Sequence, residues 1–295
     1  MEHLPDIKQL QDSLKGKVDR LSYLNQGGFK AVYKGYVHER LEAIKVVYIP
    51  ADINKEDERI ELIGRVKREI EALDKCKSPE FVHLGSLPTE LININGIDYI
   101  LYSEEFLDGE NLRSKLKQNH KPDLPELIHL TVTLLKAIKL LKENDLIHRD
   151  IKPGNTIKLK SHERPFVILD LGVAFKIHGT ALTRNSMFRP GTLPYMAPEM
   201  FNPRFRENLD YRSDMYSAGV TVYEYASGVH PIRKRGEDAY TTMYRILKTQ
   251  PQSLSTLRPD LPSDFCKIID QLIKKLPALR PASIQMLLKK VKESS

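Results

Sequence analysis

The spacing of apolar residues divides the chain into two parts of different character. In the first part the apolar residues form short runs rich in β-branched and aromatic side chains, a pattern typical of strands. These runs are "VDRLSYLNQGGFKAVYKGYV", which predicts two strands around a glycine turn, then "LEAIKVVYI", "FVHLGSLP" and "IDYILYSEEF". One charged helix is predicted over 56–75, because its apolar residues recur at three- and four-residue steps: Ile60, Ile63, Val66, Ile70 and Leu73.

After "LDGENL" the pattern changes to the helical period, starting with "LPELIHLTVTLLKAIKLLKEN". Four later segments are also predicted to be helices: "SDMYSAGVTVYEYASG", "AYTTMYRILKTQ", "SDFCKIIDQLIKKL" and "ASIQMLLKKVKESS". Strands followed by helices predict an α+β fold with two lobes, hinged near Glu105–Gly109. We expect an N-terminal arm over 1–18, a small β-rich lobe with one main helix over 19–106, and a larger, mostly helical lobe over 107–295.

Charge and cysteine content narrow the class of protein. The formal net charge is +7, and one of the densest basic clusters is "RKRG" at 233–236. No basic stripe interleaved with aromatic residues accompanies these clusters, so nucleic acid is not an expected partner. Arg233, Lys234 and Arg235 could favour acidic or phosphorylated partners, although a solvated loop is the simpler interpretation.

Two cysteines, Cys76 and Cys266, lie far apart and fit no metal-binding spacing, which favours reduced thiols and a cytoplasmic location. Neither a secretory signal nor an apolar run of about 18 residues is visible, so we expect no membrane span.

Reactive groups are concentrated in "HRDIKPGN", residues 148–155, directly after a predicted buried helix. Asp150 can accept a proton or position a hydroxyl group. Lys152 can neutralise charge on a transferred group, and the amide oxygen of Asn155 suits a hard cation such as Mg²⁺. Asp170, at the end of the strand-like run "FVILD", offers a second oxygen ligand for the metal.

Further motifs occur in a fixed order around this segment. They are "LNQGGFKAVYKG" (24–35), "AIK" ending at Lys45, "REI" with Glu69, "DLG" (170–172), "GTLPYMAPE" (191–199), "SD" with Asp214 and "RP" with Arg280. With "HRDIKPGN" they make the chain resemble a eukaryotic-type (Hanks-type) serine/threonine protein kinase over residues 19–295. By the same resemblance, Lys152, two residues after Asp150, implies serine and threonine rather than tyrosine as acceptors.

The resemblance implies ATP-dependent phosphorylation of protein hydroxyl groups, with Mg²⁺ (Mn²⁺ as an alternative) as the metal. It implies that Lys45 contacts the ATP phosphates and is held by Glu69, and that Asn155 and Asp170 bind the metal. Asp150 would act as base, Lys152 would touch the γ-phosphate, and Thr192 would brace both.

The remaining residues that the resemblance assigns bind the nucleotide or support the fold. The predicted nucleotide contacts are Leu24, Asn25, Gln26, Gly27 and Gly28 in the glycine loop, Val32, Ala43 and Ile157 around adenine, and the backbone from Glu105 to Leu107. Glu199 and Arg280 would form a structural ion pair, and Asp214 would anchor the catalytic loop.

The chain departs from the family pattern at several positions. The glycine loop has Asn25 and Lys30 where the family has glycine, and Lys30 is expected to point to solvent rather than to clamp phosphate. The metal motif contains Leu171 instead of phenylalanine. Either Ser103 or Glu104 can be aligned with the position before the hinge.

The sequence says less about the regulation and the substrate of the protein than about its active site. The candidate phosphorylation sites, including sites of autophosphorylation, are Thr180, Thr183 and Ser186. A phosphate group on one of them could pair with Arg149. Because the chain ends about 15 residues after Arg280, no regulatory domain is expected behind the kinase. The alternatives are a pseudokinase that binds nucleotide without turnover and a related small-molecule kinase. The protein substrate and the oligomeric state cannot be predicted from these residues.

Overall fold

The computed structural model describes residues 4–27, 30–49, 56–171, 175–176, 191–204 and 209–294. The chain forms two compact units. We call residues 1–77 and 82–108 the sheet unit, and residues 78–81 and 109–295 the helical unit. Strands dominate the first unit and helices the second, so the predicted α+β class is confirmed.

The sheet unit is built on five antiparallel strands in the order β1-β2-β3-β5-β4. The strands are β1 (Asp19–Gly27), β2 (Lys30–Val37), β3 (Arg40–Ile49), β4 (Glu90–Ile94) and β5 (Ile97–Glu105), and the helices are α1 (Ile7–Ser13) and α2 (Glu56–Lys75). The prediction of a strand in "FVHLGSLP" was wrong, because only isolated bridges form at Phe81 and Leu84. The fourth strand lies further along, in "ELINI".

The two faces of this sheet carry different side chains, because successive residues of a strand point to opposite sides. On one face Leu10 and Leu14 belong to a core cluster with Ile44 and Leu101. Leu10 and Leu14, which lie in the segment predicted as an arm, therefore contribute to the core of the sheet unit. The other face, the α2 face, packs Val47 and its neighbours against Val66 of the helix.

The helical unit contains seven helices and five short strands within the residues described above. The helices are α3 (Leu112–Lys117), α4 (Leu124–Glu143), α5 (Arg212–Ser227), α6 (Ala239–Lys248), α7 (Leu254–Leu257), α8 (Ser263–Leu272) and α9 (Ile284–Glu293). The strands are β6 (Gly109–Asn111), β7 (Leu146–Ile147), β8 (Thr156–Leu159), β9 (Phe166–Ile168) and β10 (Phe175–Lys176). Strands β6, β8 and β9 form one sheet, and β7 pairs with β10. Across the described part of the chain, no helix combines the length and apolarity needed to cross a lipid bilayer.

Helix α5 lies at the centre of the helical unit. Every residue from Ser213 to Ala226 is buried, which is typical of a helix enclosed on all sides by protein. The helix ends at Gly228, whose left-handed backbone (φ 73°) suits glycine and lets its N–H donate to the carbonyl of Glu224 at 2.8 Å.

Arg280 ties the segment before α9 to the rest of the helical unit. Its guanidinium forms two hydrogen bonds with the carboxylate of Glu199, at 2.6 and 2.8 Å. Its other three N–H groups donate to the carbonyls of Arg212, Lys274 and Lys275. The side chain is 3% exposed, so all five donors of a buried guanidinium have an acceptor.

We predict that Arg280→Met lowers the free energy of unfolding by about 3–5 kcal/mol, because it leaves a carboxylate and three carbonyls without their donor. Urea unfolding followed by circular dichroism measures the change. The matched control is Lys289→Met, on the exposed side of α9, for which a change within about 0.5 kcal/mol is expected. Equal changes in the two variants would contradict this account of Arg280.

Candidate active site

Several of the polar contacts in the segment 148–155, "HRDIKPGN", are made to the carboxylate of Asp150. Thr192 donates to Oδ1 of Asp150 through its backbone N–H at 2.9 Å and its hydroxyl at 2.7 Å. Lys152 Nζ lies 2.7 Å from Oδ2 of Asp150 and 2.5 Å from the hydroxyl oxygen of Thr192. Asn155 Nδ2 donates to the same Oδ2 at 2.9 Å. Three of the site residues predicted from the sequence thus surround the carboxylate of a fourth, Asp150.

Asp214 holds the backbone of this segment from helix α5. Its carboxylate accepts the N–H groups of His148 and Arg149 at 2.7 and 2.9 Å. Burial raises the pKa of Asp214, although His148 and Arg149 oppose the shift. The contact explains how Arg149 is kept in the left-handed region (φ 66°), an uncommon conformation for a residue with a side chain.

Gly191 closes the segment on another side. Its φ is 127°, and a Cβ placed there would lie 2.7 Å from the carbonyl oxygen of Arg149. The glycine that begins "GTLPYMAPE" therefore allows the backbone before Thr192 to approach the loop that carries Asp150.

Asn155 and Asp170 lie at one end of the β8–β9 hairpin. The N–H of Leu169 donates to the carbonyl of Asn155 at 2.8 Å, which fixes the residue before Asp170 beside Asn155. Asp170 has a left-handed backbone (φ 62°), and such conformations cluster at functional sites.

These two residues fit a hard divalent cation. Asn155 uses its amide nitrogen on Asp150, and its amide oxygen makes no hydrogen bond within the described residues. An amide oxygen and a carboxylate are ligands that Mg²⁺ accepts, usually together with substrate phosphates and water. Among the residues that the structure describes, no group of three or more His, Cys, Asp or Glu side chains forms a metal cluster.

On the sheet unit, Lys45 does not pair with Glu69, contrary to the sequence-based expectation. Its Nζ lies 2.9 Å from Oε2 of Glu104. Both residues are buried, with 7% and 2% exposure. Lys45 on β3 is directly opposite Tyr102 on β5, and Glu104, two residues further along, reaches it on the same face of the sheet.

Glu69 pairs instead with Lys30, which corrects the prediction that Lys30 points to solvent. Nζ of Lys30 lies 2.9 Å from both carboxylate oxygens of Glu69, and its side chain is 21% exposed. The same ammonium lies 5.8 Å from the ring centroid of Tyr102, within the range of a cation–π contact. Between the α2 face and helix α2, Lys45 and Lys30 thus belong to two separate ion pairs.

The orientations of Ser103 and Glu104 differ in the way that strand alternation requires. The hydroxyl of Ser103 donates to Glu42 at 2.5 Å, on the face opposite to Lys45. Burial tends to raise the pKa of Glu42, but hydrogen bonds from Ser103 and Ser86 lower it below its usual value. Of the two residues aligned before the hinge, Glu104 is therefore the one that shares the α2 face with Lys45.

The other predicted nucleotide contacts are distributed over both units. The exposed end of β1 carries Leu24, Asn25, Gln26 and Gly27. Val32 and Ala43 lie on the α2 face by register, and Glu105 ends β5, where its N–H donates to the carbonyl of His83. Leu107 follows in the sheet unit, whereas Ile157 lies on β8 of the helical unit.

Several predicted residues lie outside the part of the chain that the structure describes. They are Gly28 of the glycine loop and the candidate phosphorylation sites Thr180, Thr183 and Ser186.

Sequence reasoning missed Glu104 as the partner of Lys45. A signal was present, because Glu104 continues the alternation of Ile100 and Tyr102, both of which are buried on the α2 face. An acidic residue in phase with such a run predicts a buried carboxylate that needs a cation.

We predict that Lys45 is energetically coupled to Glu104 rather than to Glu69. Double-mutant cycles built from Lys45→Met, Glu104→Gln and Glu69→Gln, measured by urea unfolding, should give about 1–3 kcal/mol for the first pair and less than about 0.5 kcal/mol for the second. The exposed pair Lys139–Glu143 on α4 serves as a control, with an expected coupling of about 0.3–0.5 kcal/mol. A larger coupling between Lys45 and Glu69 would contradict the observed pairing.

Comparison with known proteins gives a consistent result. Residues 19–291 match the family model described as "Protein kinase domain". Similar proteins include a probable serine/threonine-protein kinase of Clostridium perfringens (25% identical, covering 90% of this chain and 36% of the relative). Others are the probable serine/threonine-protein kinase PknB of Lactococcus lactis (28%, covering 83% and 37%) and the serine/threonine-protein kinase PknA of Mycobacterium tuberculosis (26%, covering 91% and 59%).

The chain spans less than two thirds of the length of each of these relatives. The family match nevertheless covers nearly all of its residues and includes every motif from the glycine loop to Arg280. The chain belongs to the protein kinase domain family.

Proposed function

We propose that the chain transfers the γ-phosphoryl group of ATP to serine and threonine hydroxyl groups of protein substrates. These acceptors include hydroxyl groups of the chain itself, that is, autophosphorylation. The observation that carries the proposal is the cluster in which Thr192, Lys152 and Asn155 all contact the carboxylate of Asp150. Phosphoryl transfer depends on positioning and charge more than on covalent chemistry, and this cluster supplies both.

In this mechanism the substrate hydroxyl donates a hydrogen bond to the carboxylate of Asp150. Thr192 fixes Oδ1 through two hydrogen bonds, so the carboxylate is already oriented when the hydroxyl arrives. As the hydroxyl oxygen attacks the γ-phosphorus, its proton passes to Asp150, the bond between that phosphorus and its bridging oxygen breaks, and ADP leaves.

The charge that develops on the phosphoryl group is met by Lys152, whose ammonium lies between Asp150 and Thr192. Stabilisation by charges fixed in advance is commonly the largest contribution to such a reaction. Asn155 and Asp170 would hold Mg²⁺, or Mn²⁺, which when bound neutralises phosphate charge. Lys45 would contact the phosphates from the sheet unit, exchanging its contact with Glu104 for one with the nucleotide.

Two finer points belong to the same proposal. The described cysteines, Cys76 and Cys266, are free and buried, which supports a reducing compartment such as the cytoplasm. Thr180, Thr183 and Ser186 remain the candidate autophosphorylation sites, and mass spectrometry of residues 173–190 after incubation with ATP tests them.

We predict that Asp150→Asn lowers kcat by about 10²- to 10⁴-fold, because the amide keeps the shape of the side chain but loses the proton acceptor. Transfer of labelled phosphate from ATP to a protein substrate measures the effect. The control is Asp264→Asn, an exposed carboxylate on α8, which should keep wild-type kcat. Unchanged transfer in Asp150→Asn would exclude Asp150 as the base.

We also predict that EDTA abolishes transfer and that added Mg²⁺ restores it. Asn155→Ala, which removes one proposed oxygen ligand, should raise the Mg²⁺ concentration needed for half-maximal rate. Transfer that persists in EDTA would contradict a metal role for Asn155 and Asp170. Binding of ATP without transfer at any metal concentration would instead favour the pseudokinase alternative.

A further inference from the structure

A basic cavity lies in the helical unit beside the loop that follows α5. Its volume is about 620 Å³, within the range of ligand pockets. Five cationic side chains line it: Arg113, Arg233, Lys234, Arg235 and Arg245. We call this space the basic cavity.

Two of these cations are already neutralised. Arg113 lies 3.0 Å from the carboxylate of Glu224, and Arg245 lies 2.5 Å from that of Glu237. By contrast, no ion pair joins the side chains of Arg233, Lys234 and Arg235 to a carboxylate within the described part of the chain, and only the backbone N–H of Lys234 donates to Glu237, at 3.1 Å. The basic cavity therefore carries an excess of three positive charges.

The loop that presents these charges is held in place by His230. The ring nitrogen Nδ1 of His230 accepts the N–H groups of Ile232 and Arg233 at 3.1 and 2.9 Å. Burial and the positive charges of Arg113 and Arg233 lower the pKa of His230 to about 3. The ring is thus neutral, and the excess charge comes from the arginine and lysine side chains alone.

A short segment of chain connects the basic cavity to Asp150 and the residues that contact its carboxylate. Thr192, which contacts Asp150, is followed directly by the 3₁₀ turn Leu193–Tyr195. Tyr195 lines the cavity, where its hydroxyl donates to Glu224 and accepts from Arg113. Three residues of 3₁₀ turn rise about 6 Å, and an extended peptide advances about 3.5 Å per residue.

We propose that the basic cavity binds an acidic side chain of the protein substrate that lies close in sequence to the phosphorylated serine or threonine. Guanidinium groups bind carboxylates through paired hydrogen bonds, and three unpaired cations in one concave site match that chemistry. A nucleic acid would need a longer track of basic groups, whereas the unpaired charges here occupy three consecutive residues. The inference rests on the proposed function, because it places the substrate hydroxyl at Asp150.

The test compares two serine peptides that differ only in having glutamate or glutamine at the flanking positions. The wild-type protein should have a higher kcat/KM for the glutamate peptide, mainly through a lower KM. In the variant Arg233→Gln/Lys234→Gln this preference should fall by about three- to tenfold, the effect of losing two ion pairs from exposed side chains. Added salt should reduce the wild-type preference in the same direction.

The matched control is Lys289→Gln/Lys290→Gln, which removes two exposed charges from α9 of the same unit and should keep the wild-type preference. The inference is overturned if the wild type does not distinguish the peptides, or if the two double variants have the same preference.

A binding measurement separates this inference from the proposed function. Fluorescence anisotropy with glutamate and glutamine peptides in which serine is replaced by alanine requires no phosphate transfer. Weaker binding of the glutamate peptide to Arg233→Gln/Lys234→Gln supports the basic cavity even if the wild type proves inactive as an enzyme. If duplex DNA binds the wild type more tightly than the glutamate peptide, and loses affinity in the same variant, the cavity binds nucleic acid and the inference is wrong.

Discussion

Much of the helical unit serves to hold one carboxylate, that of Asp150, in position. Thr192 fixes the carboxylate directly. Asp214 fixes the backbone before it, from a helix whose residues are buried over nearly its whole length. A buried helix gives a rigid support, and rigid support is what allows charged groups to be oriented before a substrate binds.

Residues remote from Asp150 also support its position. Arg280 holds Glu199, the last residue of "GTLPYMAPE", together with three carbonyls. Its loss would release the segment that begins at Thr192, so a structural substitution there would also disturb catalysis. Loss of activity in an Arg280 variant is therefore informative only beside a measurement of stability.

The charges on the sheet unit follow a different arrangement from the one that the family resemblance implies. Lys45 and Lys30, both on the α2 face, each have a carboxylate oxygen within 2.9 Å. Glu104 takes the place at Lys45 that Glu69 would have, and Lys30, at a position where the family has glycine, takes Glu69. Both pairs are neutral overall, which is the condition for keeping such groups out of water.

The sequence predicted the elements whose pattern is local. Helices α4 and α5 were predicted because their apolar residues follow one period over many turns, and the Asp150 segment because its groups lie within eight residues. Strand β4 was missed because "ELINI" is short and has one polar residue on each side, so its apolar residues do not alternate with polar ones. The prediction that Lys30 points to solvent was wrong because the position of a long, flexible side chain depends on charges that are distant in sequence. Here that charge is the carboxylate of Glu69. The basic cavity could not be predicted as a cavity, since it joins Arg113 to residues more than a hundred positions later.

The most direct test of the account is to identify which residues of a protein substrate gain phosphate. Dephosphorylated casein would be incubated with the purified chain, ATP and Mg²⁺, and the modified residues located by mass spectrometry. We expect phosphate on serine and threonine. Phosphate on tyrosine alone, or no phosphate although calorimetry shows ATP bound to the folded protein, would contradict the proposed function.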